Sequence, residues 1–268
     1  MTSTTSNNDT VLWELREPGI ALLTLNRPER LNAWNGQLAA RYFELLDRAA
    51  GDPAVKVIVV TGAGRGFCAG ADMDALQDIG AGGPANVEGA AGGRDQWFTT
   101  TIPKPVIAAV NGACAGIGMV QALMCDIRFA AAGAKFTTAF SRRGLIAEYG
   151  ISWILPRLIG TARSLDLLMS GRVFLAEEAA AMGLVNEVIA PEQLVDRALD
   201  YAADLAANAS PTSMAVMKAQ VYGDHTRSLE ASSADAVSLM KASLRRPDFI
   251  EGVASFLEKR PPRFAALD

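Results

Sequence analysis

The stretch from Ile102 to Asp126, IPKPVIAAVNGACAGIGMVQALMCD, decides the fold. Val106 to Val110 is a continuous apolar run that follows two prolines, which predicts a strand buried on both faces. The residues from Gly116 onward are apolar on every side, which predicts a buried helix. Its first turn carries glycines at 116 and 118, so its unpaired N–H groups are open to a ligand oxygen. These residues alone leave two interpretations open: an oxyanion or anion site, and a βα turn that needs glycine only for packing.

Strands and helices are predicted to alternate on both sides of this stretch. Before it, the sequence predicts a hairpin of Val11–Glu17 and Ile20–Leu25, a helix over Gln37–Ala50 and a buried strand over Val55–Thr61. After it, the pattern predicts strands at 127–130, 135–138 and 185–189 and helices at 151–159, 163–170, 176–182, 193–207, 214–222, 229–243 and 248–264. An α/β order that ends in helices predicts a parallel sheet core followed by a helical lobe.

The chain divides into three parts. Residues 1–10, MTSTTSNNDT, are polar and lack an apolar segment, which predicts a disordered tail and not a signal peptide. Residues 11–200 form the predicted α/β core, and residues 201–268 the helical region. The Gly/Ala-rich residues 80–94 are interpreted as a mobile loop over the site or a poorly ordered connection.

Composition excludes several classes of function. The chain has 268 residues, of which 50% are hydrophobic and 20% charged, with a net charge of −4 and no basic stripe, which argues against nucleic acid as a partner. No apolar segment is long enough to span a membrane. Three cysteines in apolar surroundings indicate a reducing cytoplasm, and with a single histidine, His225, no metal site is expected.

Several motifs, in order, carry a family resemblance. LNRPERLNAW, FCAGADM, IPKPVIAAVNG, LPRLIG, AMGLVNEV and FLEKR together resemble the enoyl-CoA hydratase/isomerase (crotonase) superfamily, from about Trp13 to the C-terminus. The resemblance implies an α/β spiral of ββα units with a C-terminal helical trimerisation region. It also implies a homotrimer or hexamer and an acyl-CoA ligand, with coenzyme A entering as part of the substrate and no separate cofactor.

The resemblance assigns a role to the two glycine-rich turns. A thioester carbonyl that becomes an enolate needs two donors aimed at the developing charge, and backbone N–H groups are already oriented. In this family the donors correspond to the N–H groups of Ala71 and Ile117. Most relatives have glycine where this chain has Ile117, so we expect the added side chain to narrow the pocket. Asp72 is expected to tie the turn together, with a ligand role as the alternative.

The resemblance also implies contacts with coenzyme A. Two arginines lie near the phosphates and adenine, two alanines offer backbone groups to the adenine, and two residues near the C-terminus reach the ligand of a neighbouring subunit. In that order these residues are Arg27 and Arg30, Ala33 and Ala69, and Phe256 and Lys259. The alternative for the two arginines is solvated loop charge.

The sequence departs from the family at the residues that decide the chemistry. Hydratases of this family use two glutamates to position and split water, and the matching positions here hold Val120 and Phe140. Neither side chain can transfer a proton, so water addition by the usual pair is in doubt. With Ile117, these residues make the site apolar.

Glu148 aligns with an acidic residue found in isomerases of the superfamily. A single carboxylate can remove a proton from one carbon of an acyl chain and return it to another. We expect Ile146, Ala147, Ile151 and Trp153 to surround Glu148 and to raise its pKa by desolvation. Tyr149 as a donor, Arg142 and Arg143 as ion-pair partners, and Asp74 as a second base are further candidates, each with solvent exposure or packing as its alternative role.

Two functions from different classes follow. The first is an acyl-CoA enzyme in which Glu148 acts as acid and base on an unsaturated acyl chain, with isomerisation slightly favoured over hydration by the missing glutamate pair. The second is a non-catalytic acyl-CoA binding protein that has lost the pair. The retained glycine turns favour the enzyme, because a binding protein has no need of an oxyanion hole.

Overall fold

Two sheets form the centre of the molecule. The structure, a computed structural model, describes residues 9–74, 77 and 93–267. The larger sheet has six strands, in the order in which they pair: β1 (Val11–Arg16), β2 (Ile20–Leu25), β3 (Val57–Gly62), β5 (Val106–Val110), β7 (Ile127–Ala131) and β10 (Glu187–Ile189). Only β1 is antiparallel to its neighbour. The predicted hairpin and the buried strand Val106–Val110 are thereby confirmed.

The smaller sheet has four strands. They are β4 (Gly66–Cys68), β6 (Ala113–Ala115), β8 (Lys135–Thr137) and β9 (Phe174–Leu175), the last antiparallel to β8. Strands β4 and β6 lie inside the two segments that the sequence predicts only as glycine-rich turns. They are three residues long, too short for a periodic pattern to reveal.

Helices connect and cover the strands. They are α1 (Gly36–Gly51), α2 (Ile117–Met124), α3 (Ile151–Ile159), α4 (Thr161–Ser170), α5 (Ala176–Ala181), α6 (Leu194–Asn208), α7 (Pro211–Asp224), α8 (Leu229–Ser243) and α9 (Pro247–Glu258). Short 3₁₀ helices cover Pro28–Arg30, Gln96–Thr101, Ser141–Arg143 and Pro191–Gln193. Asn35, Ser210 and Ser228 cap α1, α7 and α8 by accepting a backbone N–H.

One predicted strand is shorter than expected. The sequence predicts a strand from Val185 to Ile189, but β10 begins at Glu187. The N–H groups of Leu184 and Val185 bond to the carbonyl of Ala179 at the end of α5, so they cannot join the sheet. Asn186 then aligns the strand by bonding to the backbone of Arg128.

The core continues into the helical region. Helix α6 packs on β2, β3, β5 and β7, and its buried face belongs to the main hydrophobic cluster. The predicted division at residue 200 therefore falls inside a core helix. Residues 1–8 of the predicted tail and residues 80–92 of the predicted loop lie outside the described residues, while Asp9 and Thr10 are bonded to Asn26 through their carbonyls. Among the helices that the structure describes, none has the length and hydropathy needed to cross a membrane.

Candidate active site

The loop before α1 is organised by Asn32. This residue is fully buried and adopts a left-handed conformation, which asparagine tolerates better than most residues. Its amide nitrogen donates to the carbonyls of Ala63 and Gly66 at 3.0 and 2.7 Å, and its amide oxygen accepts the N–H of Arg27. The motif LNRPERLNAW thus connects the loop to the strands that carry the glycine-rich turns.

The two glycine-rich turns lie side by side. Strands β4 and β6 pair in parallel, with Cys68 opposite Cys114, so the turns that follow them emerge at the same edge of the small sheet. Both Gly70 and Gly116 have positive φ, at 107° and 50°, which glycine adopts without strain. A Cβ atom on Gly116 would lie 3.9 Å from the Cα of Gly70, so the turns are in contact.

The N–H groups of Ala71 and Ile117 are unpaired within the described residues. Ala71 pairs with Trp34 in a parallel bridge. The N–H of Trp34 donates to the carbonyl of Gly70, and the N–H of Asp72 donates to the carbonyl of Trp34, so neither bond uses the N–H of Ala71. Ile117 is the first residue of α2, so its N–H has no acceptor inside the helix, and Gly116 provides no side-chain cap. The turns therefore present two free donors next to each other, with the positive end of the α2 dipole behind one of them.

Gly118 allows α2 to approach the small sheet. A Cβ atom there would lie 2.2 Å from the carbonyl oxygen of Cys68, much closer than any real contact. Cys68 is itself buried in the core beside Gly70. The glycine at 118 is thus required by packing and Gly116 by backbone conformation. The interpretation of this turn as an oxyanion site stays a prediction.

Asp72 braces the first turn. Its carboxylate lies 2.8 Å from the guanidinium of Arg27 and accepts the N–H of Asp74. Burial alone would raise the pKa of Asp72, but these hydrogen bonds and the charges of Arg27 and Arg30 outweigh it and lower the pKa. Arg27 also donates to the carbonyl of Ala33, so it is engaged within the chain.

The other predicted coenzyme A contacts are spread over the surface. Arg30 and Asp74 form an exposed ion pair at 3.2 Å. The N–H of Ala69 is already bonded to Leu31. Phe256 is 83% exposed on α9, and Lys259 follows that helix on the surface in a left-handed conformation. The two C-terminal residues thus lie on a different part of the chain from the glycine turns.

Glu148 begins a tight turn that leads into α3. Its carbonyl accepts the N–H of Ile151, and the two residues between them, Tyr149 and Gly150, both have positive φ. Burial raises the pKa of Glu148, and burial together with the charge of Glu148 raises that of Tyr149. A left-handed tyrosine is strained backbone, which is concentrated at functional sites.

The expected surroundings of Glu148 are wrong in part. Ile151 is buried and Ala147 is partly buried, but Ile146 is 78% exposed and cannot desolvate the carboxylate. Arg142 donates instead to the carbonyl of Ser170. The pKa of Glu148 is nevertheless raised, and burial is the cause.

The positions of the missing glutamates are filled by core residues. Val120 is completely buried in α2, and Phe140 is 5% exposed just before the 3₁₀ helix Ser141–Arg143. Ile117 is also buried, with 4% of its surface exposed. These three side chains belong to the main hydrophobic cluster and place no ionisable group at the turns.

A pocket of about 490 Å³ lies at the other end of α2. We call it the aromatic pocket, and its lining residues are Trp97, Thr100, Thr101, Met124, Gly150, Trp153, Tyr222 and Gly223. None of these side chains is charged. A Cβ atom on Gly150 would be 3.5 Å from the terminal methyl of Met124, so the Glu148 turn packs directly on the C-terminal end of α2.

Trp153 is a fixed wall of this pocket. The guanidinium of Arg157 stacks 4.0 Å from its ring centre and donates to its carbonyl at 2.7 Å. His225 contacts the same ring edge-on at 5.0 Å and also contacts Tyr222. The single histidine is exposed, and its ring packs on aromatic residues of the pocket.

A buried ion pair joins the helical region to the core beside the pocket. Lys218 of α7 donates to the carboxylate of Asp126 at 2.8 Å and to the carbonyls of Thr99 and Lys104 at 3.2 Å. The side chains of Lys218 and Asp126 are only 9% and 18% exposed. Asp126 also accepts the hydroxyl of Tyr222 at 3.2 Å.

Sequence reasoning missed the aromatic pocket and this ion pair. The signal for Lys218 was present, since it is the only charged residue in the segment from Ser210 to Gly223. Its partner Asp126 is 92 positions away, and nothing local links the two. The pocket residues come from four separate segments, and no single motif contains them.

Comparison with known proteins decides the family. A family model described as enoyl-CoA hydratase/isomerase matches residues 16–266. The chain belongs to the enoyl-CoA hydratase/isomerase family. The crotonase fold predicted from the sequence is confirmed by a structure described as a probable enoyl-CoA hydratase/isomerase from Mycobacterium abscessus. It superimposes with a TM-score of 0.87 at 33% identity, covering 96% of this chain and 99% of that one.

Relatives in the enoyl-CoA hydratase/isomerase family carry names of both chemistries. The chain is 38% identical over 255 residues to a 1,2-epoxyphenylacetyl-CoA isomerase of Escherichia coli K12, covering 92% of this chain and 95% of the relative. It is 58% identical to a structure described as an enoyl-CoA hydratase from Mycobacterium marinum, with a TM-score of 0.70 over 82% of this chain and all of that one. Family membership implies an acyl-CoA substrate.

Proposed function

We propose that the chain stabilises the enolate of an unsaturated acyl-CoA thioester in a backbone oxyanion hole and moves a proton along the acyl chain with Glu148. The observation that carries the proposal is the pair of adjacent, unpaired N–H groups of Ala71 and Ile117. Two fixed donors aimed at one developing oxyanion are worth more than side-chain donors, because they need not reorganise during the reaction.

The proposed isomerisation needs a single carboxylate. Ionised Glu148 removes a proton from the carbon next to the thioester carbonyl of a 3-enoyl group, and the electron pair delocalises to the carbonyl oxygen held by Ala71 and Ile117. The protonated Glu148 then returns the proton at the far end of the dienolate, which gives the 2-enoyl isomer with no change in formula. A raised pKa suits Glu148 to both steps, because a carboxyl that shuttles protons near neutrality must give them up and take them back.

Isomerisation is favoured over hydration by the core residues at the glutamate positions. Val120 and Phe140 are buried and cannot orient or split water. Arg27 is held by Asp72 and Ala33, so in this proposal it shapes the binding loop, while exposed Arg30 is the better candidate for the phosphates. Exposed Phe256 and Lys259 are proposed to reach the ligand of a neighbouring subunit in a homotrimer or hexamer.

Product analysis in heavy water tests the proposal. The protein is incubated with matched 2-enoyl- and 3-enoyl-CoA thioesters, and the products are measured by mass spectrometry. Interconversion of the two isomers is expected. Gain of a whole water molecule would show that the reaction is hydration and not isomerisation. Tight binding of both thioesters without any product would favour a non-catalytic binding protein.

Substitution of Glu148 tests its role. We expect Glu148→Gln to lower turnover by about 10²- to 10⁴-fold, the usual effect of general acid–base catalysis, and to leave acyl-CoA affinity unchanged. Glu192→Gln, on the exposed 3₁₀ helix Pro191–Gln193, is the matched control and should retain full activity. If Asp74→Asn abolished turnover and Glu148→Gln did not, Asp74 would be the base.

A further inference from the structure

We infer that the aromatic pocket holds the distal end of an apolar acyl chain of about eight or more carbons, so that the protein selects against short acyl groups. The inference rests on the proposed function, because it takes the thioester to lie at Ala71 and Ile117. It adds the substrate class, which neither the family nor the glycine turns determine.

The length of helix α2 gives the distance between the oxyanion turn and the aromatic pocket. Its eight residues run from Ile117, at the oxyanion turn, to Met124, which lines the pocket. At 1.5 Å per residue the two ends are about 10 Å apart. An extended chain of single bonds advances roughly 1.2 Å per bond, by analogy with an extended backbone, so a group must be about eight bonds long to reach from the thioester into the pocket.

The hydroxyl groups of the pocket already donate hydrogen bonds within the chain. The hydroxyls of Thr100 and Thr101 donate to the carbonyls of Trp97 and Phe98 at 2.8 Å. The hydroxyl of Tyr222 donates to Asp126. A polar ligand group would find few partners here, since an unpaired polar group in such a place is costly, whereas methylene groups gain from leaving water.

Both walls of the pocket are fixed from within one chain. Lys218 bonds to Thr99 in the 3₁₀ helix that carries Trp97 and to Asp126, which also holds Tyr222. The opposite wall, Trp153, is held by the stacked Arg157. The pocket is therefore formed before any ligand binds, so its walls need no ordering when an acyl tail enters.

Binding of saturated acyl-CoA thioesters tests the inference apart from catalysis. Coenzyme A, butyryl-CoA and decanoyl-CoA are titrated against the full-length protein by calorimetry. We expect decanoyl-CoA to bind at least about tenfold more tightly than butyryl-CoA, because each buried methylene group adds about a threefold to fourfold gain. Equal affinities would overturn the inference and leave the proposed function intact, whereas no binding by any of the three would overturn both.

Two blocking variants locate the effect. Gly223 lines the pocket on α7, and a Cβ atom there meets no other atom within 4 Å, so Gly223→Phe adds bulk from an open position. Thr101→Trp adds bulk from the opposite side at an exposed position. Each variant should weaken decanoyl-CoA about tenfold relative to butyryl-CoA. Gly51→Phe, at an equally open glycine on α1, is the control and should change neither affinity. Unchanged decanoyl-CoA affinity in both blocking variants would overturn the inference.

Discussion

Helix α2 offers its N–H groups at one end and encloses its carbonyl groups at the other. At the first turn, Ile117 follows an uncapped glycine and its N–H is free. At the last turn, buried Arg128 donates to the carbonyl of Cys125 at 2.5 Å and lies 3.5 Å from those of Ala122 and Leu123. Every helix leaves N–H groups unpaired at its first turn and carbonyl groups unpaired at its last turn. In α2 the chain itself satisfies the carbonyl groups, whereas the N–H of Ile117 is left free for the proposed ligand.

The difference shows how one helix can serve two purposes. The N-terminal end offers backbone N–H groups, so it provides charge stabilisation. The C-terminal end is built from side chains that meet from distant segments, so it offers shape. The oxyanion donors and the aromatic pocket are thus separated by about 10 Å along the same helix.

The largest effect on kcat is expected from removal of one N–H donor at the N-terminal end of α2. Ile117→Pro removes the donor, while proline at the first helical position preserves the helix. Loss of one oxyanion donor costs about 10²- to 10³-fold in kcat. The control is Ile117→Ala, which loses the buried side chain but keeps the N–H, so kcat should be at least about tenfold higher in this variant than in Ile117→Pro. Equal kcat values would remove Ile117 from the oxyanion hole.

Loss of the Lys218–Asp126 ion pair, beside the C-terminal end of α2, should destabilise the protein. Lys218→Met leaves the carboxylate of Asp126 without its charged partner, and breaking such a buried pair costs about 3 kcal/mol or more in unfolding free energy. Urea denaturation measures this loss. Lys241→Met, at an exposed position on α8, should stay within about 0.5 kcal/mol of the wild type. An unchanged midpoint in Lys218→Met would show that the pair contributes nothing net.

Gly118 and Gly223 sharpen the comparison, because substitution by alanine should lower the stability of the protein at Gly118 and raise it at Gly223. Gly118→Ala forces a Cβ atom to within 2.2 Å of the carbonyl oxygen of Cys68, and overpacking of this kind costs about 2 kcal/mol. Gly223→Ala meets no atom and should gain about 0.5 to 1 kcal/mol from higher helix propensity. Thermal unfolding of both variants measures the difference, and shifts of the same sign would contradict the packing described for Gly118.

The two carboxylates near the ends of α2 have pKa values shifted in opposite directions, so their effects should be lost at different pH values as acid is added. Glu148 must be ionised to remove a proton, and burial raises its pKa, so kcat/KM should fall with acid at a pH above 4.5, the ordinary pKa of glutamate. An acid limb at or below 4.5 would contradict this role.

Asp72 has a lowered pKa, so its contribution to stability is present above its unfolded pKa near 3.8 and is lost as the pH falls through the folded pKa. Comparison of the wild type with Asp72→Asn by acid unfolding measures this smaller effect. The acid-dependent loss should be reduced in the variant, and identical pH profiles would contradict the brace to Arg27.

Local patterns predicted the part of the fold that depends on neighbouring residues. The hairpin, the buried strand Val106–Val110, α3 and the open first turn of α2 all follow from periodicity, proline and glycine. The raised pKa of Glu148 and its cause, burial, were also predicted, although Ile146, one of the neighbours expected to bury it, is exposed. Sequence neighbours do not determine which side chains desolvate a group, because burial is a property of the tertiary packing.

The rest depends on pairs that are far apart in sequence. Lys218 and Asp126 meet only after the helical region docks, and Arg128 satisfies carbonyls that any helix end could leave to water. Strands β4 and β6 exist because the glycine turns allow two backbones to approach closely, not because their residues prefer strands. A single sequence contains these partners without indicating which of them pair.

The position of Lys218 in the chain has a consequence for folding order. Its acceptors Thr99, Lys104 and Asp126 precede it by 119, 114 and 92 residues, so these contacts close very long loops. Contacts of such range form late, and during synthesis the N-terminal part of a chain folds first. A growing chain can therefore assemble the strands and glycine turns before α7 leaves the ribosome, and the Tyr222 wall is added to a structure that already contains its oxyanion donors.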